Sequence, residues 1–293
     1  MIYTIENDTL RVSVNATGAQ LWSVYSKKTN TEYLWQGDPA YWAGRAYNLF
    51  PFIGRMYKNT YTFEGKEYTS RTHGVARYNL FQVESRSATR ITMLLKDNED
   101  TLEEYPFHFA YRVTFSLENN TLTIRQEVTN TDDKTLICAF GGHPGINVPF
   151  DEGTFEEYYL EFSDKTNTQR HYFSETAPLM AGISNPYALE KGKKLPLKHS
   201  LFDVDAVVLS NTSRKVAYKS DATSRSVVVD FTDFKYIGFW HPSKTNAPFV
   251  CFEPWTALPA TEGKQDALET KTDMMHVPVG KKASVAYSLT INE

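Results

Sequence analysis

His143 lies in the run Gly141-Gly142-His143-Pro144-Gly145-Ile146-Asn147, an ionisable ring hemmed in by glycine and proline. The apolar stretch Leu136–Phe140 before it reads as a strand. Two glycines and a proline read as its end, which puts the imidazole at the lip of a sheet. An imidazole titrating near neutrality can both give and accept a proton. Glu253 reads in the same way. It follows the apolar run Val250-Cys251-Phe252, shares a pleat face with Cys251, and precedes Pro254, which is expected to stop the ladder. A carboxylate and an imidazole held on rigid strands supply the base and the acid of a proton-transfer reaction. A solvated acid at a sheet edge is the structural alternative for Glu253.

Four further sets of side chains accompany that pair. Asp205, in Asp203-Val204-Asp205-Ala206-Val207-Val208-Leu209, would project with Val207 and Leu209 if this is a strand, so its charge needs a partner. Either a structural ion pair or a ligand contact would answer. Arg55 and His73 each adjoin a glycine in aromatic surroundings and read as structural polar residues or as ligands. Tyr41, Trp42, Trp240 and Trp255 would line either a core or the apolar floor of a sugar pocket. Arg45, Lys58, Arg71 and Arg77 cluster in sequence around Arg55 and His73, where they either face solvent or hold a phosphate.

Several chemistries lack their signatures. None of the seven histidines has zinc-ligand spacing, so a metal site would require His73, His143 and His241 to converge in space. The glycines fit neither a P-loop nor a dinucleotide fingerprint, and no Gly-x-Ser-x-Gly occurs. No metal and no cofactor is expected.

The elements that must hold these residues are strands. Phe109, Tyr111, Val113, Phe115 and Leu117 alternate with polar or small residues. Asn119-Asn120 turns the chain, and Leu122, Ile124 and Val128 resume the pattern, which predicts a long antiparallel hairpin with one wet face. Leu10–Val14 and Val285–Ile291 alternate likewise, Phe63-Glu64-Gly65-Lys66 reads as a hairpin turn, and Val227–Val229 reads as a strand buried on both faces. Only Asp97–Glu104 and Gly263–Leu268 hold room for a helical turn or two. With no linker and no repeat, the 293 residues read as one all-β domain, residues 1–293.

Composition narrows the setting. A 41% apolar fraction indicates an ordered chain, and a net charge of −4 argues against a nucleic-acid partner. The basic run Lys191–Lys194 with Lys198 reads as a solvated loop. Cys138 and Cys251 are too few and too far apart for a disulfide framework. The N-terminal residues carry no signal-peptide pattern, and no run reaches the ~20 apolar residues of a membrane helix. A cytoplasmic protein without membrane contact is expected, as a monomer or homodimer.

Gly54-Arg55-Met56, Thr72-His73-Gly74, Gly142–Asn147, Asp205–Leu209 and Cys251-Phe252-Glu253-Pro254-Trp255, in this order, together resemble the aldose 1-epimerase (galactose mutarotase-like) superfamily. Gly18-Ala19-Gln20 fits its opening, and the likeness runs from about Leu10 to the final strand. It is nearest the LacX-like branch, with its Glu-Pro-Trp ending and shortened Asp-Ala element. The resemblance implies a β-supersandwich that works without metal or organic cofactor. It implies Glu253 as general base, His143 as general acid, and Arg55, His73 and Asp205 as sugar ligands. Asn147, from the same motif as His143, and Trp240, from the aromatic set, are expected sugar contacts. Pro254-Trp255 and Ile146 depart from the pattern of galactose mutarotases proper; both changes bear on which sugar is preferred. The expected activity is interconversion of the α and β anomers of a hexose. A non-catalytic sugar-binding or sensing protein, and a mutarotase of a phosphorylated hexose, are the alternatives.

Overall fold

The alternating segments Phe109–Glu118 and Thr121–Asn130 form a ten-residue antiparallel hairpin, turning through Asn119 in the left-handed region (φ 51°). In the computed structural model, which describes residues 1–293, this hairpin sits inside a nine-stranded sheet. From edge to edge the order is Lys194–Pro196, Tyr158–Phe162, Lys215–Ser220, Ser226–Asp230, Lys282–Asn292, Thr121–Asn130, Phe109–Glu118, Arg90–Lys96 and Gln82–Arg86. A seven-stranded sheet faces it. Its order is Met180–Pro186, Gln169–Phe173, Val207–Ser210, Tyr236–Trp240, Phe249–Trp255, Gly141–Asn147 and Ala46–Leu49. Four strands near the N-terminus, from Ile2–Glu6 to Thr31–Glu32, make a smaller sheet. The architecture is all-β.

Aromatic side chains fill the space between the two large sheets. Phe50 stacks on Tyr111 at 4.3 Å between ring centres, and Phe252 meets Tyr218 at 5.3 Å. These contacts belong to one continuous cluster of 76 buried apolar side chains. At roughly 25 cal/mol per Å2 of apolar surface removed from water, such a core dominates the stabilisation. No helix is long and apolar enough to cross a membrane.

Four details differ from the sequence reading. The chain does not end a strand at Gly141-Gly142: Leu136–Cys138 is a short strand of its own, and Gly141–Asn147 is a strand inside the seven-stranded sheet. The glycines serve packing rather than turning. A Cβ on Gly142 would sit 2.7 Å from the Tyr287 ring, and one on Gly141 would meet Ile53 at 2.8 Å. Pro254 does not end its strand either, which runs from Phe249 to Trp255. Asp205 precedes its strand, which starts at Val207. Val227 and Val229 are buried while Val228 is half-buried, so that strand has one core face rather than two.

The helical expectation holds for Glu99–Glu104. There the Asn98 side chain accepts from the Thr101 N–H, and the Thr101 hydroxyl accepts from the Asn98 N–H. The Gly263–Leu268 stretch forms no α-helix, and only a 3-10 turn follows at Leu268–Thr270.

Candidate active site

Strand register builds the site. Gly141 pairs with Trp255 and Gly145 with Cys251, which sets His143 directly across from Glu253. On the outer sides, His143 pairs with Tyr47 and Glu253 with Gly238. Gly238, Glu253, His143 and Tyr47 therefore form one row across the sheet. Because side chains alternate between faces, Gly142 and Phe252 contact the nine-stranded sheet while His143 and Glu253 point the other way. Pro144 and Pro254 have no N–H to donate within this stretch. The two side chains make a link there instead: His143 Nε2 lies 3.2 Å from Glu253 Oε2.

A cavity of about 290 Å3 opens over this row. That is at the small end of the ~300–1,000 Å3 usual for ligand sites. His143, Glu253, His73, Arg55, Asp205 and Trp240 all line it. Trp42 stacks on His143 at 4.8 Å, and Trp240 meets the same ring edge-on at 5.5 Å. His73 stands edge-on to His143 at 5.5 Å. Its ring Nδ1 accepts from the Gly54 N–H at 3.0 Å, while the His73 backbone N–H donates to the Gly54 carbonyl at 2.7 Å. The ring proton of neutral His73 therefore sits on Nε2. Gly54 must stay a glycine: its φ is 62°, and a Cβ would lie 2.7 Å from Pro259.

Dryness sets the charges. Burial, helped by the Arg77 charge, pushes the His143 imidazolium down to about 3. Burial, helped by the Asp205 charge, raises Glu253 well above the carboxylate range, against an opposing pull from the Trp255 indole. Both shifts favour neutral forms, as a low-dielectric site should. The two shifts together disfavour the carboxylate–imidazolium form of the pair relative to the neutral one. Burial first, then any positive charge on His143 and the Arg77 and Arg55 guanidiniums, pushes His73 well below the usual imidazole range. Burial lifts Asp205 to about 6, against the Ala206 N–H and Arg55, which favour its charged form. The His143 Nδ1 is buried without a hydrogen-bond partner, spare capacity that a ligand can use.

Six of the seven expected site residues thus share the cavity; Asn147 does not. Its carboxamide donates to the carbonyls of Glu32 at 2.9 Å and Leu34 at 3.2 Å, tying the end of the His143 strand to the N-terminal sheet. Tyr41 packs edge-on against Trp35 outside the cavity, whereas Trp42 and Trp255 line it. Arg45 is engaged elsewhere, donating to the Trp22 carbonyl and Gln36, with its guanidinium 3.9 Å above the Trp22 ring. His241 lies away from His73 and His143, against His199. No group of three or more His, Cys, Asp or Glu side chains could hold a metal ion. Lys194 belongs to a strand, not a loop, and covers the Tyr159 ring at 3.4 Å. Tyr47, Phe173 and Pro178 also line the cavity. Only the pairing of Tyr47 with His143 marks it, and no single-strand pattern displays such a pairing.

The family model for aldose 1-epimerase matches residues 1–271. The chain belongs to the aldose 1-epimerase family. Among relatives, this family member is 34% identical over 301 residues to the plasmid-encoded protein LacX of Lactococcus lactis subsp. lactis, covering 99% of each chain. The chromosomal LacX of the same organism is 33% identical, again over 99% of both. Among solved structures, a galactose mutarotase-like protein from Lactobacillus casei superposes with a TM-score of 0.94 at 30% identity over the full length of both chains. A galactose mutarotase related enzyme from Lactobacillus acidophilus gives 0.93 at 34% identity, covering 100% of this chain and 98% of that one. The fold of this aldose 1-epimerase family member is the galactose mutarotase-like β-supersandwich.

Proposed function

We propose that this protein is a cofactor-independent mutarotase that interconverts the α and β anomers of a hexose, with residues 1–293 acting as one cytoplasmic domain. The observation that carries the reading is the buried His143–Glu253 pair, 3.2 Å apart on the floor of a cavity. Ring opening removes a proton from the C1 hydroxyl and delivers one to the ring oxygen as the C1–O5 bond breaks. Those two oxygens share one carbon, so the base and the acid must be close neighbours. Rotation about C1–C2 and reversal of both transfers then closes the other anomer.

Glu253 serves as the base and His143 as the acid. The carboxylate–imidazolium state carries the same single proton as the neutral pair, so sugar binding redistributes that proton and takes none from solvent. Each positioned group contributes ~10²–10⁴-fold. Arg55, beside the cavity, would stabilise negative charge on the departing oxygen. His73 Nε2–H and the Asp205 carboxylate would hold hydroxyls, and Trp240 and Trp42 supply apolar faces. The reaction moves only protons and one C–O bond, so the chemistry needs no cofactor.

The test is NMR exchange or polarimetry on freshly dissolved α-glucose and α-galactose. Faster approach to equilibrium with catalytic protein supports the reading. Sugar binding without acceleration would replace it with a sugar-binding or sensing role.

A further inference from the structure

We propose that a second cavity adjoining the first is an anion subsite, and that the substrate is a hexose carrying a phosphate ester on a carbon other than C1. The proposal rests on the mutarotase reading for where the sugar ring lies. This second cavity, about 390 Å3, shares Arg55 and Thr72 with the first, so the two adjoin across those residues. Its character is different. Apart from the Tyr78 ring it is lined by polar and charged side chains, among them Arg55, Lys58 and Arg71, with the hydroxyls of Thr60, Thr69 and Thr72.

The charge there is unbalanced. On a chain of net charge −4, Arg55 stands at the junction of the two cavities, Lys58 and Arg71 line the second, and Arg77 lines the first. Arg71 pairs with Glu104, but no carboxylate comes within ion-pair distance of Arg55, Lys58 or Arg77. Arg71 and Arg77 even share one platform, their guanidinium carbons 4.3 and 4.9 Å from the Tyr78 ring centre. Like charges held together disfavour one another unless an anion joins them. Guanidinium forks and an ammonium surrounded by hydroxyl donors match the oxygens and double charge of a phosphate.

Chemistry then limits where the ester sits. Opening the ring requires a free hydroxyl at C1, so a 1-phosphate has no proton for the base to take. The phosphate must hang from another carbon, projecting past Arg55 while C1 lies at Glu253.

The test compares glucose with glucose 6-phosphate, and galactose with galactose 6-phosphate, in mutarotation assays. Quenching of Trp42 and Trp240 fluorescence gives binding independently. Wild-type protein should favour the phosphorylated sugar at least about ten-fold in kcat/KM or in Kd, an advantage that shrinks as salt screens it. Lys58→Gln, at an exposed position, should reduce the phosphorylated-to-neutral ratio about ten-fold, and Arg71→Gln should reduce it as well. Equal use of neutral and phosphorylated sugars, or variants that lower both by one factor, would overturn the subsite. If no sugar is turned over but 6-phosphates bind preferentially, the subsite stands and the mutarotase reading falls.

Discussion

His143 and His241 are both buried, and burial pushes the first down to about 3 and the second to about 4. At His241 both ring nitrogens are engaged. Its Nδ1–H donates to the Pro242 carbonyl at 2.8 Å, which leaves Nε2 to accept from His199 Nδ1 at 3.1 Å. Phe202 packs on the His241 ring at 4.3 Å, and Phe155 stacks on His199 at 3.8 Å. At His143, Nδ1 has no partner, Nε2 faces an acid, and the ring borders open space. A lowered pKa records burial at both rings. What separates them is unfilled hydrogen-bonding capacity beside a cavity, which costs stability and is retained where a ligand completes it.

That contrast can be broken by substitution. Glu253→Gln and His143→Asn should each lower kcat by about 10²–10⁴-fold while the far-UV spectrum and the unfolding transition persist. Near-wild-type turnover in either would leave the pair no more chemical than His241. Asp205→Asn and His73→Asn should mainly raise KM, by about ten-fold, with kcat less affected; a purely thermal phenotype would make both residues structural. Asp205 also adds a pH signature. Since it ionises only above about 6, KM should climb roughly ten-fold per pH unit below that value, and Asp205→Asn should flatten the climb.

His241→Asn supplies the opposite pole. It should cost about 1–3 kcal/mol of stability, read from denaturant unfolding, and leave kcat/KM of the folded protein unchanged. Its pH dependence has a definite sign. An unfolded histidine takes up its proton near 6.5, whereas folded His241 does so only near 4. Between those values the unfolded state binds more protons, so stability falls as pH drops through that window. The substitution should make that slope shallower.

The long hairpin around Asn119 is readable because local alternation fixes it without tertiary help, whereas Asp97–Glu104 offers only room for a helical turn, and the Asn98 cap that secures it emerges from the structure. The strands carrying His143 and Glu253 were half readable. Their apolar flanks pointed to strands, but glycine and proline suggested ends, since those residues usually break ladders. Here Gly142 makes room for Tyr287, and Pro144 and Pro254 lie within one stretch of a ladder, facts that depend on strands distant in sequence. Asn147 stands in the right motif yet spends its carboxamide on the carbonyls of Glu32, in the N-terminal sheet, and of Leu34 just after it. No one-dimensional pattern distinguishes an amide that binds a ligand from one that braces a strand.

The close approach of Gly142 to Tyr287 gives the cavity a dependence on the opposite side of its own floor. At this point only the Tyr287 ring separates the strand from the backbone of the sheet behind it, so its height is gauged by that contact. A single methyl group there, as in Gly142→Ala, would act as a shim, lifting the floor and carrying His143 away from Glu253 without touching either. Because displacements of about 1 Å can cost ~10²-fold in rate, the tolerance of the chemistry is machined into the back of the sheet.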